Sequence, residues 1–202
     1  MSKFEQRSKN SYDKKAKNYE ETFDGRFTFK LNQQIIELLT VHAKDTVVDI
    51  ACGNGRLLRM LNEKYAFKGY GVDISEEMII RARRVNPDMT FFVGECESLP
   101  FQGGDIDVMT VCAAFHHFPN VKAFAKEAGR VLKSGGTLCI GECYLPGVLR
   151  ILCNPFVRFS RAGDVRFYSP GEISALFVRH GFVIKNVIIE GNRQIILMQK
   201  TL

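Results

Sequence analysis

The sequence is short of several things, and each shortage removes a class of protein. No apolar run approaches the roughly 20 residues needed to cross a bilayer, and the opening MSKFEQRSKN lacks the apolar centre of a secretory signal. A cytoplasmic protein without a membrane span is therefore expected. The cysteines, at positions 52, 96, 112, 139, 143 and 153, include no CxxC pair. They lie mostly in strand-like or turn segments and read as reduced thiols, so neither a disulfide framework nor a metal site is expected. No internal repeat or low-complexity tract is visible.

What remains is an ordinary globular composition. The 202 residues are 46% hydrophobic and 25% charged, enough for one domain with a sizeable core. The net charge of +6 is concentrated in the last quarter, where residues 148–202 carry eight basic and three acidic side chains. An anionic partner would suit that excess. The basic residues are scattered, however, and read more simply as a solvated face.

The most informative stretch is VVDIACGNGRL, from Val47 to Leu57. A short apolar run breaks into small residues and resumes as a helical pattern through Leu58 and Leu61. Strand, glycine turn and helix start in that order make a nucleotide-binding corner. Glycine lets the backbone take unusual angles and lets a ligand approach closely. Asp49, at the strand end, favours a ligand carrying positive charge over a bare pyrophosphate. A dinucleotide fingerprint beginning at Gly53 would also need a small residue at position 58, which is Leu58.

Around this corner the pattern alternates. Residues 1–30 read as an arm or lid in which Tyr12 and Tyr19, seven apart, share a helix face. A helix is expected over Phe29–Val41. Strands are expected at Val47–Ile50, Lys68–Ile74, Met89–Val93, Ile106–Cys112 and Thr137–Cys143, with helices over Gly55–Tyr65, from Ser75 to Arg84, and over Val121–Leu132. Gly135-Gly136 should stop the last of these. After an irregular insertion at 144–168, Ser169-Pro170-Gly171-Glu172 forms a capping box opening a helix that ends at Gly181. Phe182–Ile189 and Gln194–Gln199 then make an antiparallel hairpin. Such alternation argues an α/β fold, a Rossmann-like doubly wound parallel sheet with helices on both faces, with residues 31–202 as the main domain.

Ligands of such sheets bind outside the carboxyl ends of the strands. Those ends present Asp49 with the glycine turn, Asp73, Gly94-Glu95-Cys96, and Cys112 leading to His116-His117. Carboxylates at three successive strand ends are costly unless hydrogen-bonded or neutralised. A nucleoside with an amino-acid tail meets that need: Asp73 for the ribose hydroxyls, Glu95 and the Cys96 N–H for adenine, and Asp49 near an ammonium.

VVDIACGNGRL, GVDIS, GECESLPF, AFHHFPN, RVLKSGG and RFYSPGEISALFVRHGF, taken in order, resemble the class I S-adenosylmethionine-dependent methyltransferases, of the small-molecule type that includes quinone-biosynthesis enzymes. The resemblance runs from about Tyr12 to the end of the chain. Asp49, Gly53 and Gly55 match the acid-x-Gly-x-Gly-x-Gly signature, Ala51 replaces its first glycine, and Glu95 stands where aspartate is common. The resemblance implies a seven-stranded sheet of order 3-2-1-4-5-7-6 with strand 7 antiparallel. It implies S-adenosylmethionine as cofactor and S-adenosylhomocysteine as product. The cofactor would be held by Tyr12, Tyr19, Asp49, Ala51, Cys52, Gly53, Gly55, Asp73, Ile74, Met78, Glu95, Cys96, Cys112 and His117.

The expected reaction is methyl transfer to a small-molecule acceptor by in-line attack on the sulfonium methyl, driven chiefly by positioning. His116 and His117 are the candidate bases, since they follow the fourth strand and titrate near neutrality. Glu142 lies close enough to face the same pocket. The arm and the 144–168 insertion should shape the acceptor pocket, with Arg158, Arg166 and Tyr168 as candidate substrate contacts. Two other functions fit less well. A nucleic-acid methyltransferase would suit the basic pI, but CAAFHHF is not the Pro-Pro-aromatic element of base-amine methylation, and no basic patch with interleaved aromatics is evident. A catalytically silent S-adenosylmethionine-binding protein is the other. A monomer or homodimer without metal is expected.

Overall fold

The computed structural model describes residues 1–201. Helix α1 (Lys3–Lys15) opens with a reciprocal capping box between Ser2 and Glu5. A 3₁₀ segment, Ala16–Glu21, leads through the cap residue Thr22 into α2 (Phe23–Leu38). The Thr22 hydroxyl accepts from the Gly25 N–H at 3.0 Å, satisfying one of the free donors of the first turn. This helix starts earlier than its apolar spacing suggests, because the cap at Thr22 and not the stripe sets its beginning. The expected division at residue 30 accordingly falls inside α2. Its inner face buries Leu31 and Ile35.

Seven strands make one sheet: β1 (Thr46–Ile50), β2 (Lys68–Asp73), β3 (Thr90–Val93), β4 (Ile106–Cys112), β5 (Leu132–Cys143), β6 (Phe182–Glu190) and β7 (Arg193–Lys200). Their order is β3-β2-β1-β4-β5-β7-β6. The first five pair in parallel, whereas β7 runs antiparallel to both β5 and β6. This is the topology implied by the resemblance. The remaining helices are α3 (Arg56–Asn62), α4 (Glu76–Val85), α5 (Val121–Val131), α6 (Gly147–Val157) and α7 (Pro170–Val178).

Alternation along the strands feeds two cores. Val47 and Val108 join Leu31, Ile35, Leu58 and Ile79 on one face, while their neighbours Val48 and Met109 join Phe115, Phe124 and Phe177 on the other. Phe124 is fully buried among Phe115, Phe118 and Phe177. Its truncation to alanine would cost about 3–5 kcal/mol.

Two local expectations change. Gly135-Gly136 does not stop α5. That helix ends at Val131 because Leu132 is already extended, and β5 runs on through the glycine pair. The ladder is irregular there: Ile106 faces Leu132, and the next paired residue, Val108, faces Thr137. Gly135 has a φ of +77°, and a Cβ on Gly136 would lie 2.9 Å from the Lys133 carbonyl oxygen. The pair shapes a bulge, where backbone freedom is needed. The final hairpin turn is also tighter than expected, with only Gly191-Asn192 between β6 and β7.

Candidate active site

The turn after β1 is strained toward an opening. Ala51, Gly53 and Gly55 all have positive φ, at 55°, 53° and 76°. For Ala51 this costs roughly 1 kcal/mol, which the missing first glycine of the signature would have avoided. The two glycines do different work. A Cβ on Gly55 would lie 2.6 Å from Asn86 Nδ2 and 3.1 Å from Ala82, so Gly55 lets α3 close against α4. A Cβ on Gly53 would meet nothing within 4 Å, because its bare face opens onto a cavity. Asp73, at the end of β2, fixes the turn from below: its carboxylate accepts from the Gly53 and Ser75 N–H groups, each at 2.8 Å.

The cavity, with its mouth open to solvent, encloses about 740 Å³ of non-atom space. Tyr12, Tyr19, Ala51, Gly53, Asp73, Ile74, Met78, Glu95, Cys96, Cys112 and His117 line it. Asp49 and Cys52 instead line a smaller adjoining cavity of about 330 Å³. Gly55 lines neither and packs against Asn86 and Ala82. Glu95 pairs with the N-terminal ammonium at 3.1 Å. The cover is tied down on α1, where Asp13 accepts from the Ser75 hydroxyl at 2.6 Å.

Two buried carboxylates give these cavities their electrostatics. Burial pushes Asp49 up to about 7, although the Thr110 hydroxyl donating at 2.7 Å pulls the other way. Burial likewise raises Asp73 to about 6 against the pull of its backbone donors. Both sites are primed for a positive or hydrogen-bond-donating ligand. Arg56, which the sequence reading passed over, is buried on the same small cavity as Asp49. One of its terminal nitrogens bonds the Gly25 carbonyl, while its Nε has no partner. A cation and an anion on one small cavity match the two ends of an amino acid. The only advance signal was its place directly after Gly55.

Beyond β4 the chain turns through Ala113, with a φ of 51°, into a 3₁₀ turn carrying both histidines. His116 Nδ1 lies 2.8 Å from Glu142 Oε1, and its backbone N–H donates to the other oxygen of Glu142 at 3.0 Å. Burial alone would lower His116, but the charges of Glu142 and Asp164 outweigh it and raise it above the ordinary value. Burial would raise Glu142, and the same pairing holds it down. His117 is pushed well below the ordinary value by burial and by the neighbouring His116. Its Nε2 hydrogen-bonds the Tyr12 hydroxyl at 3.1 Å. Its Nδ1, without an aligned hydrogen bond, lies 3.1 Å from Asp164 Oδ1.

These histidines and Asp164 face a second opening of about 1140 Å³, with Phe23, Phe27, Cys143, Leu145, Cys153 and Phe167 among its walls. Tyr12, Tyr19, Ala113 and His117 line both large cavities and form the partition between them. The expected substrate contacts lie elsewhere. Arg158 stacks on the exposed Phe159. Arg166 is captured by the capping carboxylate Glu172, which also holds Arg150, and Tyr168 packs edge-on against Phe115. The helix cap consumed Arg150 and Arg166. Asp164 takes their place on the cavity wall, and nothing in a 25-residue irregular stretch marked it in advance.

Comparison with known proteins agrees with this geometry. A family model described as a methyltransferase domain matches residues 48–140. The 2-methyl-6-phytyl-1,4-hydroquinone methyltransferase of Synechocystis is 38% identical over 100 residues, 48% of this chain and 31% of that protein. The demethylmenaquinone methyltransferase of Thermotoga maritima is 28% identical over 177 residues, 77% of each chain. The chain thus spans about a third of the first relative's length and three quarters of the second's. Among solved structures, the Haloferax volcanii methyltransferase complexed with the activator Trm112 shares the fold at a TM-score of 0.83, with 20% identity over 95% of this chain and 98% of that one. YcgJ of Bacillus subtilis does so at 0.74, with 21% identity over 86% and 99%.

Fold and matched domain point to one class: residues 48–140 match a methyltransferase domain, and the sheet has the strand order of the class I S-adenosylmethionine-dependent methyltransferases. The chain resembles the quinone-biosynthesis members of that class. The residues present fit the cofactor. Gly53 offers a cradle that a Cβ would fill, Arg56 an orphaned buried donor, and Asp49 and Asp73 desolvated acceptors.

Proposed function

We propose that the protein methylates a small aromatic acceptor of the hydroquinone type, with S-adenosylmethionine as donor. The observation that carries this is the partition of Tyr12, Tyr19, Ala113 and His117 between the cavity bounded by Gly53, Asp73 and Glu95 and a wider, aromatic-lined one. The relatives named for hydroquinone and demethylmenaquinone substrates support the choice of acceptor.

When bound, the donor supplies a methyl group on a sulfonium sulfur whose leaving group departs as a neutral thioether. The chain's own residues hold and orient. Asp73 accepts the ribose hydroxyls, and Glu95 with the Cys96 N–H reads the base. Asp49 and Arg56 hold the ammonium and carboxylate of the tail. Ile74 and Met78 wall the base, while Tyr12 and Tyr19 close over the cavity and exclude water. On the acceptor side, His117 draws off the acceptor's proton through the Tyr12 hydroxyl bonded to its Nε2, since its Nδ1 is buried against Asp164. Asp164 offsets the charge that forms. His116, clamped by Glu142, fixes the turn. Holding the acceptor's nucleophilic atom in line with the donor methyl supplies most of the rate.

The test is release of S-adenosylhomocysteine with a panel of reduced benzoquinones and naphthoquinones, for wild type and His117→Gln. Turnover with at least one reduced quinone, falling about 10²-fold or more in the variant, is expected. No turnover across the panel would overturn the acceptor class. Full turnover in the variant would overturn the role of His117.

A further inference from the structure

Helix α6 is amphipathic in the reverse of the usual sense. A surface helix normally turns its apolar stripe toward the core. In α6 no residue is buried, and the polar side chains face inward. Arg150 pairs with Glu172. Asn154 forms two hydrogen bonds with the Phe167 backbone, at 3.1 and 2.9 Å. The apolar side chains face out: Val148 is 76% exposed, Ile151 69%, Leu152 63% and Phe156 71%, followed by Phe159 at 69%. Polar contacts fix the helix to the body, so its outer face is presented and not merely loose. An exposed apolar cluster of this size marks an interaction site.

The charge around that face selects its occupant. From Gly147 to Gly163 the chain has three arginines and no acidic residue. Arg150 is used internally, while Arg158 and Arg161 are exposed at the end of the face. Arg7, also exposed, donates to the Arg158 carbonyl at 3.2 Å and adds a third guanidinium at the same edge. Aliphatic and aromatic side chains rimmed by arginine on a short surface helix suit the boundary of an anionic bilayer, into which the apolar side sinks while the cations meet lipid phosphates. The same helix reaches the wider cavity through Cys153, with Leu145 just ahead of the helix and the exposed Phe23 also on the wall.

We propose that α6, with Phe159, Arg158, Arg161 and Arg7, docks the protein on anionic lipid surfaces. The proposal goes beyond the methyl-transfer reading and does not depend on which acceptor is used. It is tested by sedimentation of the full chain with vesicles of phosphatidylcholine containing about a third phosphatidylglycerol, and with phosphatidylcholine alone. Wild type should bind the anionic vesicles at least about tenfold more tightly than the neutral ones, with binding lost at high salt. Ile151→Gln/Phe156→Gln should weaken it about tenfold or more, with an unchanged melting temperature and unchanged calorimetric affinity for S-adenosylhomocysteine. Arg158→Glu/Arg161→Glu should abolish the preference for anionic lipid. No vesicle binding by wild type, or equal binding by the apolar variant, would overturn the proposal. So would a dimer in sedimentation velocity that the apolar variant dissolves while vesicles leave it intact, since a second copy would then cover the face. The S-adenosylhomocysteine arm keeps this failure separate from failure of the donor assignment.

Discussion

Asp49→Asn should stabilise the ligand-free protein at neutral and alkaline pH, and not near pH 5. Asp49 is almost fully buried at the end of β1, with the Thr110 hydroxyl as its hydrogen-bond partner. Burial raises its carboxyl from 3.8 to about 7. At 1.36 kcal/mol per unit, holding it ionised in the native state costs about 4 kcal/mol. A carboxyl whose folded value is raised binds its proton more tightly when folded. Its contribution to stability is therefore complete below 3.8 and is lost as pH rises through about 7. Asparagine keeps an oxygen for Thr110 and removes the charge, but its amide needs a partner in the same small cavity, which offsets about 1–3 kcal/mol. The net gain at about pH 8.5 is then about 1–3 kcal/mol, or roughly 3–10 °C for a chain of this length. Near pH 5, between the unfolded and folded values, the unfolded carboxyl is already ionised and about 2 kcal/mol of the cost has accrued. The amide offset cancels this, so the two proteins should melt together or the variant slightly lower. Thermal unfolding of both across this range decides it. A gain that is the same at both ends, or no gain at the alkaline end, would refute the reasoning.

Other outcomes follow from the same geometry. Gly53→Ala should fold with a loss of about 1–2 kcal/mol for its left-handed backbone and bind S-adenosylhomocysteine at least tenfold more weakly by calorimetry, because the new Cβ enters the cradle. Glu142→Gln should destabilise by about 3–5 kcal/mol. That loss should be greatest between the lowered Glu142 value and the raised His116 value, where both partners are charged, and should shrink at alkaline pH in urea titrations. Ser169→Ala should cost about 1 kcal/mol through loss of the α7 capping box, read as a fall of about 2–4 °C in Tm.

The sheet was legible because its information is local and repeated. Short apolar runs ending in acids or small residues, separated by helical spacing, mark a parallel sheet with an antiparallel last hairpin, while the strand order rests on the family resemblance. Part of the cavity wall was legible for a related reason. A doubly wound sheet brings consecutive strand ends together, so Asp73 and Glu95 line one cavity and Asp49 the adjoining one although they lie more than 20 residues apart. The acceptor side was not legible, because its geometry depends on contacts no periodicity encodes. Arg166 looked free for an anionic substrate, but the Glu172 needed to cap α7 also captures it. Asp164 reaches the histidines only because the loop after α6 is pinned, with the Val165 N–H donating to the His116 carbonyl at 2.8 Å and Gly163 packed on the α1 backbone. The reversed face of α6 was equally hidden, since its apolar spacing reads the same whether it points in or out.

The most direct test of the central claim is calorimetric titration of S-adenosylhomocysteine into wild type and Asp73→Ala, both checked for folding by thermal melting. One site per chain is expected, with at least a tenfold loss of affinity in the variant because the ribose would lose its charged acceptor. Equal affinity in the two proteins, or no binding to wild type, would contradict the account.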